Sequence, residues 1–182
     1  EKLKSNNKKI IDYSSTPLRS DFLDVFLLAN CKAYFGSDAG ISSCAKIFIR
    51  PVYYINENLC KLHHLPLVHT GLFISKHMYH QEKKKYISLK EMFEYGLYKA
   101  GTAQFYKERG VNIISNSAEE IRDLAIEVKN ELDEESYISS DDIERQKKFW
   151  GIVRYYAPST DYGEIKLRIG HSFLRKNSYL LN

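Results

Sequence analysis

The sequence has no long apolar run, no C-x-x-C pair and no visible internal repeat. The first absence, with a mean hydropathy of -0.43, excludes a membrane-spanning helix. The N-terminal segment EKLKSNNKKI is charged but leads into neither an apolar run nor a small-residue cleavage site, so it is not a secretory signal peptide. It also lacks an initiator Met, and a strand is predicted almost at once. We therefore expect the chain to be part of a longer protein.

Cysteine is scarce. The three cysteines Cys31, Cys44 and Cys60 are odd in number and far apart, which argues against both a disulfide framework and a zinc site. Each lies in or beside an apolar segment, so core packing in a reducing compartment is the expectation. The histidines at 63, 64, 69, 77 and 80 form no helical H-x-x-x-H pair and have no partner carboxylate pattern, so no metal is predicted.

A strong charge of one sign is also missing, since the net charge is only +4. The basic cluster QEKKKY (81–86) is interpreted as a solvated face. The tyrosines are scattered and match no RNA-recognition signature, so no nucleic-acid partner is predicted.

The local patterns predict alternating strands and helices. Residues 57–87 are poorly patterned and are predicted to form a long, functional loop. Strands are predicted at 8–13, 32–36, 50–56 and after Gly110, and helices at 20–31, 40–48, 88–99, 117–132, 139–157 and from about 164. This order indicates an α/β fold, in which a parallel sheet is joined by crossover helices.

Helix starts are marked by serines. Ser20 is a plausible N-cap ahead of a stripe formed by Phe22, Val25, Phe26 and Ala29. The pairs Ser88 with Glu91 and Ser117 with Glu120 are predicted capping boxes. The acids of SSDD (139–142) are interpreted as ordinary first-turn residues, not as a metal motif.

The stretch FGSDAG (35–40) lies where a predicted strand passes into a helix, at the edge where parallel sheets bind ligands. Two interpretations stay open. One is a tight turn in which Ser37 or Asp38 is the N-cap. The other is a phosphate site, where Gly36 and Gly40 admit a ligand to the helix amides and the hydroxyls of Ser42 and Ser43 add donors. Asp38 would oppose an anion and suits a sugar hydroxyl better. Neither the dinucleotide nor the P-loop fingerprint is present.

Several blocks of the chain resemble a family of bacterial glycosyltransferases that occur with surface-carbohydrate synthesis genes. The resemblance covers nearly the whole chain and matches the C-terminal half of that family. The blocks are IDYSSTPLRSDFLDVFL (11–27), CKAYFGSDAG (31–40), PVYYIN (51–56), LFISKHMY (72–79), SLKEMFEYG (88–96), GVNIISNSAEEI (110–121), QKKFW (146–150) and RIGHSFLRKNSYLL (168–181).

The resemblance implies that residues 1–182 form a single Rossmann-like domain, the donor-binding half of a GT-B enzyme, with C-terminal helices over 140–182. It implies a nucleotide-sugar donor, a glycan or lipid-linked acceptor, no metal and no cofactor beyond the donor. It also implies a missing N-terminal domain that supplies the catalytic base, and a location in the cytoplasm or at the inner face of the membrane. GSDAG is similar to the donor loop of heptosyltransferase-like enzymes, with Ala39 where those carry a hydroxyl.

The residues predicted to bind the donor are Arg19, Ser37, Asp38, Gly40, Ile41, Ser42, Asn56 and Lys76, of which the similarity to the heptosyltransferase-like loop covers Ser37, Asp38 and Gly40. Arg19 would grip the diphosphate, or else pair with Asp21 or Asp24. Lys76 would be a second phosphate contact or a solvated lysine, and Asn56 a donor contact or a strand end. Glu91 would hold a ribose hydroxyl or only complete its capping box. The alternative function is a non-catalytic nucleotide- or sugar-phosphate-binding module, or an interaction domain.

Overall fold

The computed structural model describes residues 3–59, 71–157 and 167–182. The strands are β1 (Tyr34–Gly36), β2 (Val52–Glu57), β3 (Gly71–Ser75), β4 (His77–His80), β5 (Lys85–Tyr86), β6 (Val111–Ile114) and β7 (Leu167–Ile169). The α-helices are α1 (Asp21–Asn30), α2 (Ser42–Ile47), α3 (Leu89–Glu94), α4 (Ala103–Lys107), α5 (Ala118–Leu132), α6 (Ser140–Tyr156) and α7 (His171–Lys176). Short 3₁₀ helices cover Tyr13–Ser15, Leu97–Lys99 and Ser178–Leu181.

The main sheet is entirely parallel, in the order β1-β2-β3-β7. All five residues of β3 are buried, as expected for a central strand of a parallel sheet that is covered on both faces. The predicted α/β class with a parallel sheet is therefore confirmed, and the arrangement is compatible with a Rossmann-like fold. The carboxyl edge of this sheet is formed by Gly36, Glu57, Ser75 and Ile169.

A second, antiparallel sheet has the order β5-β4-β6. Only Lys76 separates β3 from β4, so the chain passes directly from one sheet into the other. The predicted long loop over 57–87 is wrong for its described part, because 71–86 contains three strands. The run Gly71–Ser75 is buried on both faces and so lacks the alternation by which strands are recognised. Residues 60–70 of the predicted loop lie outside the described residues.

The core is densest where α6 crosses β3. Phe149 and Trp150 contact Phe73 edge-on, with ring centroids 6.1 and 6.3 Å apart. All three residues are at most 7% exposed. Edge-to-face aromatic packing of this kind contributes beyond the buried area itself.

The two ends of the chain differ from prediction. Residues 8–13 form no strand; Asp12 accepts hydrogen bonds from the hydroxyls of Ser14 and Ser15, and a 3₁₀ turn follows. Local bonds of this kind compete with strand pairing. The last helix, predicted from about 164, begins only at His171, because 167–169 pair with β3 as β7. In the part of the chain that the structure describes, no helix is long and apolar enough to cross a membrane.

Candidate functional site

The loop after β1 keeps several backbone donors open. The amides of Ser42 and Ser43 donate to the carbonyls of Ala39 and Gly40, at 2.9 and 3.2 Å. The amides of Ala39, Gly40 and Ile41 have no acceptor among the described residues, and all three residues are exposed. Three consecutive open amides at the carboxyl edge of a parallel sheet suit an anionic or polar ligand.

Ser42 holds this loop and does not face solvent. Its side chain is fully buried, and its hydroxyl lies 2.7 Å from the Ala39 carbonyl and 3.2 Å from an Asp38 carboxylate oxygen. The Tyr54 hydroxyl donates to Ser42 Oγ at 3.3 Å. The Ser42 hydroxyl, predicted as a donor to a ligand, therefore forms hydrogen bonds that position the loop.

The remaining loop residues are accessible. Ile41, not Ser37 or Asp38, is the N-cap of α2, so the capping interpretation of those two residues is wrong. A Cβ on Gly40 would meet no atom within 4 Å. Tyr34 donates its hydroxyl to the Ser37 carbonyl at 2.9 Å and so fixes where the loop begins.

Asp38 is partly offset by a cation. The Lys46 ammonium lies 3.9 Å from its carboxylate, and the Asp38 side chain is 37% exposed. This pair reduces the repulsion that Asp38 alone would exert on an anion in the loop, although exposed pairs of this kind are weak.

Asn56 at the end of β2 has a structural partner that the sequence did not indicate. Its amide donates to the Asn116 side-chain oxygen and the Asn116 amide donates to the Asn56 side-chain oxygen, both at 2.7 Å. Asn116 Nδ2 also donates to the Ser75 carbonyl at 2.7 Å. Asn56 has a φ of 56°, which asparagine tolerates better than most residues. This Asn56–Asn116 clamp favours the strand-end interpretation of Asn56. The only local signal for Asn116 was its place between a strand and a capping box.

Lys76 follows β3 in the centre of the sheet. Its amide donates to the Glu57 carbonyl at 2.8 Å, which joins the ends of β2 and β3. Its side chain is half-buried, and its ammonium makes no ion pair within residues 3–59, 71–157 and 167–182. The adjacent Ser75 hydroxyl is fully buried and has no hydrogen-bond partner there. A lysine without an acid partner at this edge remains available to a ligand.

Arg19 immediately precedes the N-cap Ser20 of α1 and is exposed. It forms no ion pair with Asp21, Asp24 or any other described residue, so its interpretation as one half of a surface ion pair is wrong. The structure brings Ser37, Asp38, Gly40, Ile41 and Ser42 into one loop. Lys76 and Asn56 lie at the ends of β3 and β2. Among the described residues, no hydrogen bond or ion pair joins Arg19 to that loop.

A separate open groove of about 670 Å³ is lined by Lys85, Tyr86, Ser88, Lys90, Glu91, Glu94, Tyr179 and Asn182. Glu91 forms the predicted capping box with Ser88, and its Oε1 lies 2.5 Å from Lys85 Nζ. Burial raises the pKa of Glu91, but the hydrogen bonds from Lys85 and from the Ser88 amide outweigh it and leave the pKa lowered. The cap and the Lys85 pair account for Glu91, so the ribose contact remains a prediction.

His77 has the carboxylate partner that its sequence context did not reveal. Its Nδ1 lies 2.7 Å from the Tyr179 hydroxyl and its Nε2 3.0 Å from Glu120 Oε1. No group of three potential metal ligands occurs among the described residues, and residues 63, 64 and 69 lie outside them. Asp142 forms ion pairs with Arg145 and Arg175, as a structural acid would.

Comparisons of this chain with protein-family models, with curated proteins and with solved structures find no match.

Proposed function

We propose that this chain is the donor-binding half of a metal-independent GT-B glycosyltransferase that takes a nucleotide-sugar in surface-glycan synthesis. The observation that supports it best is the carboxyl edge of the parallel sheet. The open amides of residues 39–41 follow β1 there, and the Lys76 ammonium, which has no ion pair among the described residues, follows β3, with β2 between them. Ligands of open parallel sheets bind at this edge.

A nucleoside diphosphate matches these groups chemically. Its phosphate oxygens accept hydrogen bonds, and backbone amides supply donors without adding a flexible charge. Lys76 would supply the positive charge, and Lys46 already offsets Asp38 at 3.9 Å. The Asp38 carboxylate would then accept from a sugar hydroxyl.

Transfer breaks the bond between the sugar C1 and the diphosphate oxygen, and that oxygen keeps the electron pair. Negative charge therefore grows on the leaving diphosphate, and donors fixed in advance lower the barrier. Lys76 and Arg19 would stabilise this charge together with the loop amides. The acceptor, a glycan or lipid-linked hydroxyl, would lose its proton to a base on the missing N-terminal domain.

Thermal unfolding with UDP, GDP, ADP, CMP and their sugars tests this proposal, because a ligand of the native state raises the midpoint by mass action. We expect one nucleotide to raise the midpoint. Gly40→Asp, which adds a charge where there is open space, is expected to abolish the shift, and Lys76→Ala to reduce it.

Two matched controls separate the site from general damage. Gly101 also has open space around a Cβ, and Lys148 is an exposed lysine on α6, so Gly101→Asp and Lys148→Ala should keep the full shift. A shift that persists unchanged in Gly40→Asp and Lys76→Ala would place binding elsewhere and contradict the proposed site.

A further inference from the structure

The exposed face of α1 is apolar. Phe22, Val25 and Phe26 are 77%, 42% and 48% exposed, and the rings of Phe22 and Phe26 stack with centroids 6.0 Å apart. The helix contains no buried residue. The stripe that the sequence marks as the inner face of an amphipathic helix therefore faces outward.

A second apolar segment begins at the last residue of α2, a helix that packs beside α1. Ile47, Phe48 and Ile49 are consecutive and 74%, 45% and 75% exposed. Ile49 has a φ of 55°, a conformation that is strained for a β-branched residue. The next residue, Arg50, donates its Nε to the Ala29 carbonyl at 2.7 Å and so ties this segment to the end of α1.

These six residues form the α1–α2 patch: Phe22, Val25, Phe26, Ile47, Phe48 and Ile49. With about 200 Å² for a fully exposed large apolar residue, they expose on the order of 700 Å². A monomer rarely leaves so much contiguous apolar surface in water. One partner of a standard-size interface contributes about 800 Å², so the patch with a modest polar rim suffices for a specific dimer.

We propose that two copies of this chain associate through the α1–α2 patch around a two-fold axis, with their α1 helices antiparallel. The charges around the patch favour this occupant. The first turn of α1 carries Asp21 and Asp24, with Arg19 just before it. Beyond its other end lie Arg50 and Lys32, whose ammonium is 3.5 Å from Asp133. An antiparallel pair brings the acidic end of each helix to the basic end of the other.

Charge does not select an anionic lipid surface as the occupant. The two acids on α1 would be repelled by phosphate headgroups, whereas Lys32 and Arg50 would be attracted to them. The inference is independent of the proposed donor site.

Sedimentation velocity of the whole chain over a micromolar concentration series tests the proposal. We expect a species of about twice the 21.2 kDa chain mass. Phe22→Glu should shift it to the monomer, whereas Tyr155→Glu, which alters an aromatic residue of nearly equal exposure on α6, should leave the dimer intact. Thermal unfolding of both variants checks that they fold.

The charge pairing has its own test. Asp21→Lys should weaken the dimer several-fold, and the double variant Asp21→Lys with Lys32→Asp should recover affinity. A wild-type monomer throughout the series, or equal effects of Phe22→Glu and Tyr155→Glu, would overturn the proposal. Binding of the chain to phosphatidylcholine–phosphatidylglycerol vesicles that is lost in Phe22→Glu would overturn it in favour of a lipid surface.

Discussion

Helices α1 and α5 begin in the same way and end up in opposite environments. Ser20 and Ser117 each accept a hydrogen bond from an amide three residues later, at 3.2 Å in both helices. Both helices carry an apolar stripe. In α5 that stripe buries Leu124 and Val128 against the sheet, whereas α1 buries none of its residues.

The difference shows that caps and periodicity make a helix, but only a tertiary partner decides whether its stripe is buried. The sheet supplies that partner for α5. For α1, the partner we propose is a second copy of the chain.

The largest expected effect is the difference in stability loss between variants of two phenylalanines, Phe149 and Phe22. Phe149→Ala removes a fully buried ring that packs against Phe73 and Trp150, and we expect a loss of about 3–5 kcal/mol in the free energy of unfolding. Phe22→Ala removes a ring that is 77% exposed; at a protein concentration low enough to keep the chain monomeric, it should cost less than about 0.5 kcal/mol. Urea denaturation of both variants measures the contrast, and equal losses would show that α1 packs against the core.

A pH effect is expected from His171. Burial lowers the pKa of this imidazole and outweighs the attraction of Glu127, while Arg168 and Arg175 lower it further and Asp142 raises it. Below pH 6.5, the ordinary pKa of histidine, the unfolded chain binds a proton at this residue that the folded chain does not bind. The free energy of unfolding therefore falls as the pH is lowered. A single proton limits the slope to about 1.4 kcal/mol per pH unit.

His171→Gln should flatten the dependence of stability on pH between pH 7 and 5, compared with the unchanged chain. Denaturation at several pH values measures both slopes. Burial raises the pKa of Asp142, but the hydrogen bond from Ser139 and the charge of Arg175 outweigh it and leave the pKa lowered. The stability that the Asp142 carboxylate contributes is therefore full above pH 3.8 and is lost as the pH falls further. An unchanged slope in His171→Gln would contradict the role of His171.

The caps give a smaller effect. Ser117→Ala should lower global stability by about 1 kcal/mol, because the capping box of α5 is lost in a helix that the core requires. Ser20→Ala should instead speed hydrogen exchange of the α1 amides with little change in global stability, because α1 adds no buried residue to the core. Equal global losses would contradict the separation of the two regions.

The smallest effect is a gain. Gly151 lies within α6, and a Cβ there would meet nothing within 4 Å. Gly151→Ala should therefore stabilise the chain by about 0.5–1 kcal/mol. A loss of stability in thermal unfolding would show that residue 151 is covered.

The features that the sequence predicted are those set by neighbouring residues. Both capping boxes, the helix at Asp21–Asn30 and the strand Val52–Glu57 follow from caps, stripes and β-branched runs within a few residues. Strand β3 was not predicted, because burial on both faces removes the alternation of apolar and polar residues by which a strand is recognised.

Within the candidate site, the loop's place after β1 was predictable, but its contacts were not. Tyr54 is 12 residues from its partner Ser42, and Asn116 is 60 residues from its partner Asn56. No local sequence pattern predicts hydrogen bonds between residues so far apart. The pairing of His77 with Glu120 is missed for the same reason, since 43 residues separate them.

An amide NMR titration of the chain with UDP, GDP, ADP and CMP tests the central claim most directly. We expect one of these nucleotides to shift the amide signals of residues 36–42 and 75–76 together. Shifts confined to the groove around Lys85 and Glu91, or no shift with any nucleotide, would contradict a donor site at the carboxyl edge of the sheet.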